Sequence, residues 1–320
     1  MAEKGDSKKP EHKAKFDYRS SRFFAVLFPA IYAAVLGIFF LVYDIIPGPE
    51  FVVLVFLIYA AYNNKTWRFV KDWIPFLIVF MSYEAMNGLV GKISMNNLHE
   101  GPYKLELAIF GGHSPTLLLQ QFCRLPVLDY MGAFFYTIYF FVPTIFGFVI
   151  WRESHKDYWK YIVALGVLTY SALLTFLVYP VAPPWLNPNL TSPAATPGVI
   201  RILTASVDKS IGIPVYKTIY DFLGPNLYAA FPSMHSALPW LVFLFAFSIW
   251  KWKSLPVLVL PVGTWFSAVY LGEHYVVDVL AGIAYATVAF LAVEKLLPFL
   301  ALHIDFLKKH IPKEELIPKK

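Results

Sequence analysis

The chain has 320 residues, 58% of them hydrophobic and only 15% charged, with a mean hydropathy of +0.56. A soluble domain carries about 25% charged residues, so this composition excludes a soluble fold, and with it a disordered, collagen-like or coiled-coil chain. The formal net charge is +6, and where those charges fall is more informative than their sum.

In chain order, residues 1–22 are polar and basic and an apolar run follows at once. The basic stretch is too long for a cleaved signal, so the run at 23–46 is expected to be a permanent span. Further apolar stretches fall at 51–63, 72–90, 126–150, 160–180, 234–250, 255–272 and 276–298. A span takes about 20 residues, which gives an all-α polytopic bundle of about eight spans. The second stretch is short and is expected to be tilted or half-inserted. The third begins with Asp72 and contains Glu84, which must face protein or water rather than lipid. Two long loops, 91–125 and 181–233, interrupt the pattern. In the first, Ser114 followed by Pro115 predicts an interfacial helix with a serine N-cap. The second is rich in Pro, Asn, Thr and Ser and holds Asn189-Leu190-Thr191, a glycosylation acceptor in a glycosylating host. The organisation predicted is one transmembrane domain, 23–300, between tails 1–22 and 301–320. The single cysteine, Cys123, permits neither an intrachain disulfide nor a cysteine metal cage.

Twenty-one of the 27 Lys and Arg residues lie in the first tail, at 64–71, at 151–160, at 251–253 and from Lys295 onward. The long loops hold the other six. By the positive-inside rule both termini are cytoplasmic and the long loops face the extracytoplasmic or lumenal side. The basic tail reads as a juxtamembrane segment near anionic lipid rather than as a nucleic-acid site.

Polar residues gather at the outer ends of two spans. Ser233-Met234-His235-Ser236 opens one and Glu273-His274 with Asp278 opens the last. His274 and Asp278 are four apart and share a helix face, so the carboxylate can accept from one ring nitrogen and leave the other as a nucleophile or base. His235 arrives from a different helix at the same depth. Ser233 and Ser236 add hydroxyl donors, and the two helix N-termini suit a phosphate. Two histidines and a carboxylate also fit a divalent-metal facial triad. A transporter lined by these polar groups is a further reading, although only Glu84 lies deep in the membrane. Asp129 reads as a cap, Tyr136 and Tyr139 as packing or aromatic-belt residues, and His113 as a loop residue.

These residues resemble the type-2 phosphatidic acid phosphatase (lipid phosphate phosphatase) superfamily. Pro232-Ser233-Met234-His235 stands for the family's Pro-Ser-Gly-His. Ser267, His274 and Asp278 match its third motif, with Ala268 where an Arg is expected. The first motif, Lys then Arg-Pro, is absent; Tyr179-Pro180-Val181-Ala182-Pro183-Pro184-Trp185 ends the fifth long span instead. That segment, together with Glu273-His274 and Ala281-Gly282, is similar to the aureobasidin-target inositol phosphorylceramide synthases. The resemblance covers roughly 126–290. It implies a six-helix phosphatase-type core and an enzyme that needs no metal or other cofactor. His274 would attack phosphorus, Asp278 would orient and balance it, and His235 would serve as acid and then base. Ser233 and Ser267 would bind phosphate oxygens. With the family's Lys and Arg missing, Arg201, Lys209 and Lys217 are the candidates for the phosphate cradle, Arg201 first. The substrate implied is a membrane lipid phosphate. The acceptor is a lipid hydroxyl in a phosphotransferase, or water in a lipid or polyprenyl phosphate phosphatase.

Overall fold

The computed structural model describes residues 34, 49–93, 98–186, 198–218 and 228–296. The expected span at 23–46 (Ala34 aside), both tails and the Asn189 acceptor lie outside the described residues, as does the side chain of Glu84. Among the described residues the architecture is helical, with one isolated parallel bridge between Val181 and Ala229. The helices are α1 (Pro49–Tyr62), α2 (Thr66–Ile93), α3 (Gly101–Ile109), α4 (Pro115–Phe122), α5 (Pro126–Ile138), α6 (Val142–Glu153), α7 (His155–Val178), α8 (Met234–Trp250), α9 (Val259–Tyr270) and α10 (Val276–Leu291). A π-helical turn, Leu203–Asp208, lies between α7 and α8.

Among the described residues three helical runs are long and apolar enough to cross a bilayer: His155–Val178, Met234–Tyr270 and Val276–Lys295. This is an integral membrane protein. The run Met234–Tyr270 is not one rod. At Lys251 φ is +54°, a 3-10 stretch Lys251–Leu258 follows, and α9 packs back on α8. The turn expected at 251–253 is therefore present. The stretch expected as a single span at 126–150 is instead two helices, α5 and α6, bent by 49°. Pro143 sits in the first turn of α6, where its missing N–H interrupts no intrahelical bond.

Local signals place the other helix starts. Ser114 accepts from Leu117 N and opens α4, with Pro115 in its first turn. Ser154 accepts from Asp157 N and opens α7. Ser233 accepts from Ser236 N and opens α8. At the other end of α7, away from Ser233, Asp72 on α2 is buried and gathers its neighbours. Its Oδ2 accepts from Trp151 Nε1 at 2.8 Å and lies 3.2 Å from His155 Nε2 and 3.5 Å from Arg68 Nε; Tyr158 donates to its carbonyl at 2.8 Å. The charge that cannot face lipid thus ties α2, α6 and α7 together. Asp72→Ala strands the buried Trp151 N–H and is expected to destabilise the protein by about 2 kcal/mol, read as a lower Tm of the detergent-solubilised chain.

The main core cluster is built chiefly from α2, α6, α7 and α8, and α10 packs against α7, α8 and α9. Ser236 Oγ donates to the carbonyls of Ser233 at 2.9 Å and Val279 at 3.0 Å, stitching α8 to α10. Gly282 makes this crossing possible. A Cβ there would run into Ser236 Oγ and the Ser233 carbonyl, so the helix backbones approach more closely than any larger residue allows.

Candidate active site

The site is assembled from the end of α7 inward. The segment after α7 folds back across the bundle: Val181 N donates to Tyr228 O at 2.8 Å and Ala230 N to Val181 O at 3.0 Å. This pairing fixes Ala230, whose carbonyl lies 3.0 Å from His274 Nδ1. A carbonyl can only accept, so Nδ1 carries the proton and Nε2 of the neutral ring keeps its lone pair. His274 Nε2 in turn lies 3.0 Å from His235 Nδ1.

The backbone leading to His274 is equally determined. Glu273 N and His274 N both donate to the carbonyl of Ala268, at 3.1 and 3.0 Å. Between them and α9, Gly272 has φ +84°, and a Cβ there would meet Ile200 O at 2.8 Å; only glycine satisfies both the left-handed conformation and the close approach. Ala268 is itself fully buried, so its position has no room for the arginine that the resemblance led one to expect.

Asp278 Oδ2 accepts from Tyr275 N at 2.9 Å, capping α10. It stands 3.7 Å from His274 Nδ1, near enough to balance an imidazolium electrostatically but beyond hydrogen-bond length. The tautomer is therefore set by the Ala230 carbonyl and not by Asp278 as expected. The His235 ring is held between Tyr136, stacked at 3.9 Å and 15°, and Tyr139, tilted at 3.9 Å and 38°. Both tyrosines come from the end of α5 at the bend before α6. They pack on the His235 ring, in keeping with the packing half of their reading as packing or belt residues; that the ring they pack on is His235 was not legible.

The three expected serines differ. Ser233 is fully buried and accepts at the α8 cap, which leaves its own proton to donate. Ser236 spends its proton on backbone carbonyls, as described above, and Ser267 donates to Gly263 O at 2.6 Å. A serine inside a helix finds the carbonyl one turn back before it finds anything else. In this arrangement neither offers a hydroxyl hydrogen to a phosphate oxygen.

Arg201 is brought to the site and Lys209 and Lys217 are exposed. Gln120 on α4 exchanges two 3.0 Å hydrogen bonds with Ile200 and donates a third to Tyr270 O, which seats the segment beside the end of α9. The Arg201 guanidinium lies 4.2 Å over the Trp185 ring. It donates to Glu273 through Nε at 2.7 Å and Nη2 at 3.2 Å, and Trp185 Nε1 donates to the same carboxylate at 3.0 Å. Trp185 and Glu273 were legible only as motif letters; in three dimensions they hold the Arg201 cation on the residue that precedes His274. His113 is exposed in the loop before α4. Asp129 is not the cap it was expected to be: Leu125 is the N-cap of α5, with no side-chain capping bond, and Asp129 instead accepts from Ser206 Oγ and Tyr270 OH, both at 2.5 Å, and so joins α5, the π-helical turn and α9. Among the described residues no three His, Cys, Asp or Glu side chains converge in a way that could hold a metal ion.

Two facing imidazoles, one turning its Nε2 lone pair to the other, with a carboxylate behind and a guanidinium paired to the neighbouring Glu273, suit nucleophilic attack on a phosphorus centre. Residues 103–292, which include every one of these groups, match the family model of the PAP2 superfamily. The chain belongs to the PAP2 superfamily. Among its curated relatives is the phosphoinositol dihydroceramide synthase of Bacteroides thetaiotaomicron, 27% identical over 69% of this chain and 75% of that protein. The inositol phosphorylceramide synthase of Candida albicans is 28% identical over 37% of this chain and 26% of its own length. The catalytic subunit of the Saccharomyces cerevisiae enzyme is 33% identical over 35% and 28% respectively. Against the two fungal proteins, this PAP2 chain thus aligns with little more than a quarter of their length. No solved structure matches it.

Proposed function

We propose that this PAP2 chain is a membrane phosphotransferase that moves a phosphoinositol headgroup from an inositol phospholipid to the hydroxyl of a ceramide-type lipid through a phosphohistidine intermediate. The observation that carries the reading is the 3.0 Å contact between His235 Nδ1 and His274 Nε2, with His274 Nδ1 tied to a carbonyl. A phosphoryl group entering the site takes the place of that contact. The Nε2 lone pair of His274 attacks phosphorus, the bond from phosphorus to the diacylglycerol oxygen breaks, and His235, entering the step as an imidazolium, gives that oxygen a proton and is left neutral. The acceptor hydroxyl then gives its proton to His235 as its oxygen attacks phosphorus, and the phosphorus–nitrogen bond breaks, returning the electron pair to His274. Asp278 balances the imidazolium. Arg201 and Ser233 stabilise charge on the phosphoryl oxygens, and no metal takes part. The relatives' names support phosphoinositol transfer over simple release of phosphate.

The topology that goes with this reading has eight spans around a six-helix core, both termini cytoplasmic and the site on the opposite face. The sequence's Lys and Arg distribution supports it. So do Leu105, Ile109 and Phe122 on α3 and α4, which are 51%, 56% and 79% exposed and would dip into the outer leaflet.

The test uses membranes containing the wild type, an inositol phospholipid labelled in its headgroup, and ceramide. A labelled phosphosphingolipid that forms only with ceramide, and still forms in the presence of a chelator, is the expected product. Labelled inositol phosphate formed equally well without ceramide would instead make the chain a phosphoesterase with water as acceptor, and loss of activity in chelator would overturn the metal-free mechanism.

A further inference from the structure

One buried carboxylate near the site has no part in the mechanism above. Glu106, on the short interfacial helix α3, is fully buried. Its Oε2 accepts from Val276 N, the first amide of α10, at 2.6 Å. Its Oε1 is buried without a hydrogen-bond partner, and so is Oδ1 of Asp278. The first turn of α10 is therefore held by two carboxylates from different places: Asp278 takes the Tyr275 amide and Glu106 takes the next one. α3 is anchored independently of α10. His99 stacks on Tyr179 at 4.2 Å, His99 N donates to Pro180 O at 2.9 Å, and Gly101 sits so close under the Tyr179 hydroxyl that a Cβ would collide with it. Tyr103 packs on Tyr275. Glu106 thus connects α3, and through it the segment after α7 that pairs with Ala230, to the helix that supplies Asp278.

We propose that Glu106 is a positioning residue for the His274–Asp278 pair: it fixes the first turn of α10 against α3 and holds the pair in register with His235. The inference rests on the phosphotransferase reading for its kinetic consequences, and on the hydrogen bonding alone for its structural ones. The groups facing Glu106 make its charge state matter. On α10 it meets Asp278, with His274 behind. On its own helix Lys104 turns outward to Glu100 at 2.9 Å, and among the described residues no Lys or Arg pairs with Glu106. Burial, with a smaller push from the Asp278 charge and an opposing pull from the Val276 N–H, raises its pKa to about 7. Below that pH the neutral acid sits beside Asp278 without repulsion and its carbonyl oxygen still accepts from Val276. As pH rises through about 7 a second charge appears in a buried pair with two unpartnered oxygens, which is unfavourable. Alignment is therefore best on the acid side and is lost on the alkaline side.

The experiment compares wild type, Glu106→Gln and Glu106→Ala as full-length protein in detergent micelles containing the labelled inositol phospholipid and ceramide. It records kcat and KM from pH 5.5 to 9, and hydrogen exchange of the peptide covering 273–280. Glu106→Gln keeps an acceptor for Val276 and cannot ionise. It should retain kcat near pH 6.5 and lose the fall in kcat that the wild type shows above about pH 7. Glu106→Ala should exchange faster in 273–280 and lose kcat by about 10²-fold, the scale of a small misplacement of reacting groups, with KM little changed. Unchanged exchange in Glu106→Ala, or an alkaline limb that persists in Glu106→Gln, would overturn the proposal. So would a loss of kcat in Glu106→Gln as large as in Glu106→Ala. Should the wild type transfer no headgroup while exchange still responds to Glu106→Ala alone, the phosphotransferase reading fails and the clamp on α10 stands.

Discussion

His274→Ala is expected to abolish headgroup transfer, with kcat lowered by at least about 10⁴-fold, the scale seen when a nucleophile that works as part of a unit is removed. The fold should survive. The ring's own contacts are one hydrogen bond to the Ala230 carbonyl and one to His235, whereas the backbone at 274 is held independently by Ala268 O. The Val181–Tyr228–Ala230 pairing does not involve the ring either. Tm of the solubilised variant should therefore lie close to wild type while transfer disappears. His235→Ala should be nearly as severe, because the departing diacylglycerol oxygen then has no proton donor, and the double variant should be little worse than either single one. The measurement is the initial rate of labelled product in membranes matched for protein content. A His274→Ala enzyme with even a tenth of wild-type activity would exclude His274 as the nucleophile.

Arg201→Ala carries the second largest expected effect, a fall of about 10²- to 10³-fold in kcat, as when one preorganised donor to a developing oxyanion is deleted. The family's own lysine and arginine are missing here, and Ala268 is buried where one of them would stand. The phosphoryl oxygens then need a cation from elsewhere, and the one tied to Glu273, next to His274 in the chain, is Arg201. A guanidinium has five N–H donors, more than the Glu273 carboxylate accepts. Its plane is fixed by Glu273 on one edge and by Trp185 against its face. Arg201→Lys should recover little, since an ammonium can neither fork onto Glu273 nor stack flat on an indole. Glu273→Gln keeps the arginine charge but loosens its aim, and should cost about 10-fold, in the range for partners that orient a functional group. Comparable loss in Lys209→Ala or Lys217→Ala, with Arg201→Ala unaffected, would move the cradle to those exposed lysines.

The legible and illegible parts of this molecule divide along physical lines. Signals confined to a few neighbouring residues were readable: Ser114-Pro115 as a helix start, the turn at Lys251, and His274 and Asp278 one helical turn apart. Asp72 could be assigned to protein rather than lipid because a charge in a bilayer has few places to go, although its partners Trp151, His155 and Tyr158 are more than seventy residues away and could not be named. The bend between α5 and α6 left no trace in hydropathy, because 126–150 is apolar throughout. What the sequence withheld at the site consists of backbone and of contacts distant in the chain. The Ala230 carbonyl that sets the His274 tautomer is an atom every residue possesses. Glu106 acts on an amide 170 positions further on. Ser236 and Ser267 show the converse error. Their hydroxyls look available in a motif, but a helix supplies carbonyls that take the proton first.

The central claim, a covalent intermediate on His274, is tested most directly by trapping it. The wild-type protein would be incubated with the labelled inositol phospholipid in the absence of ceramide, quenched at alkaline pH, where a phosphorus–nitrogen bond on histidine survives, and digested for mass spectrometry. A phosphoinositol adduct is expected on the peptide containing His274, absent from His274→Ala and discharged when ceramide is added before the quench. Full transfer activity with no adduct at His274, or with the adduct on another residue, would contradict it.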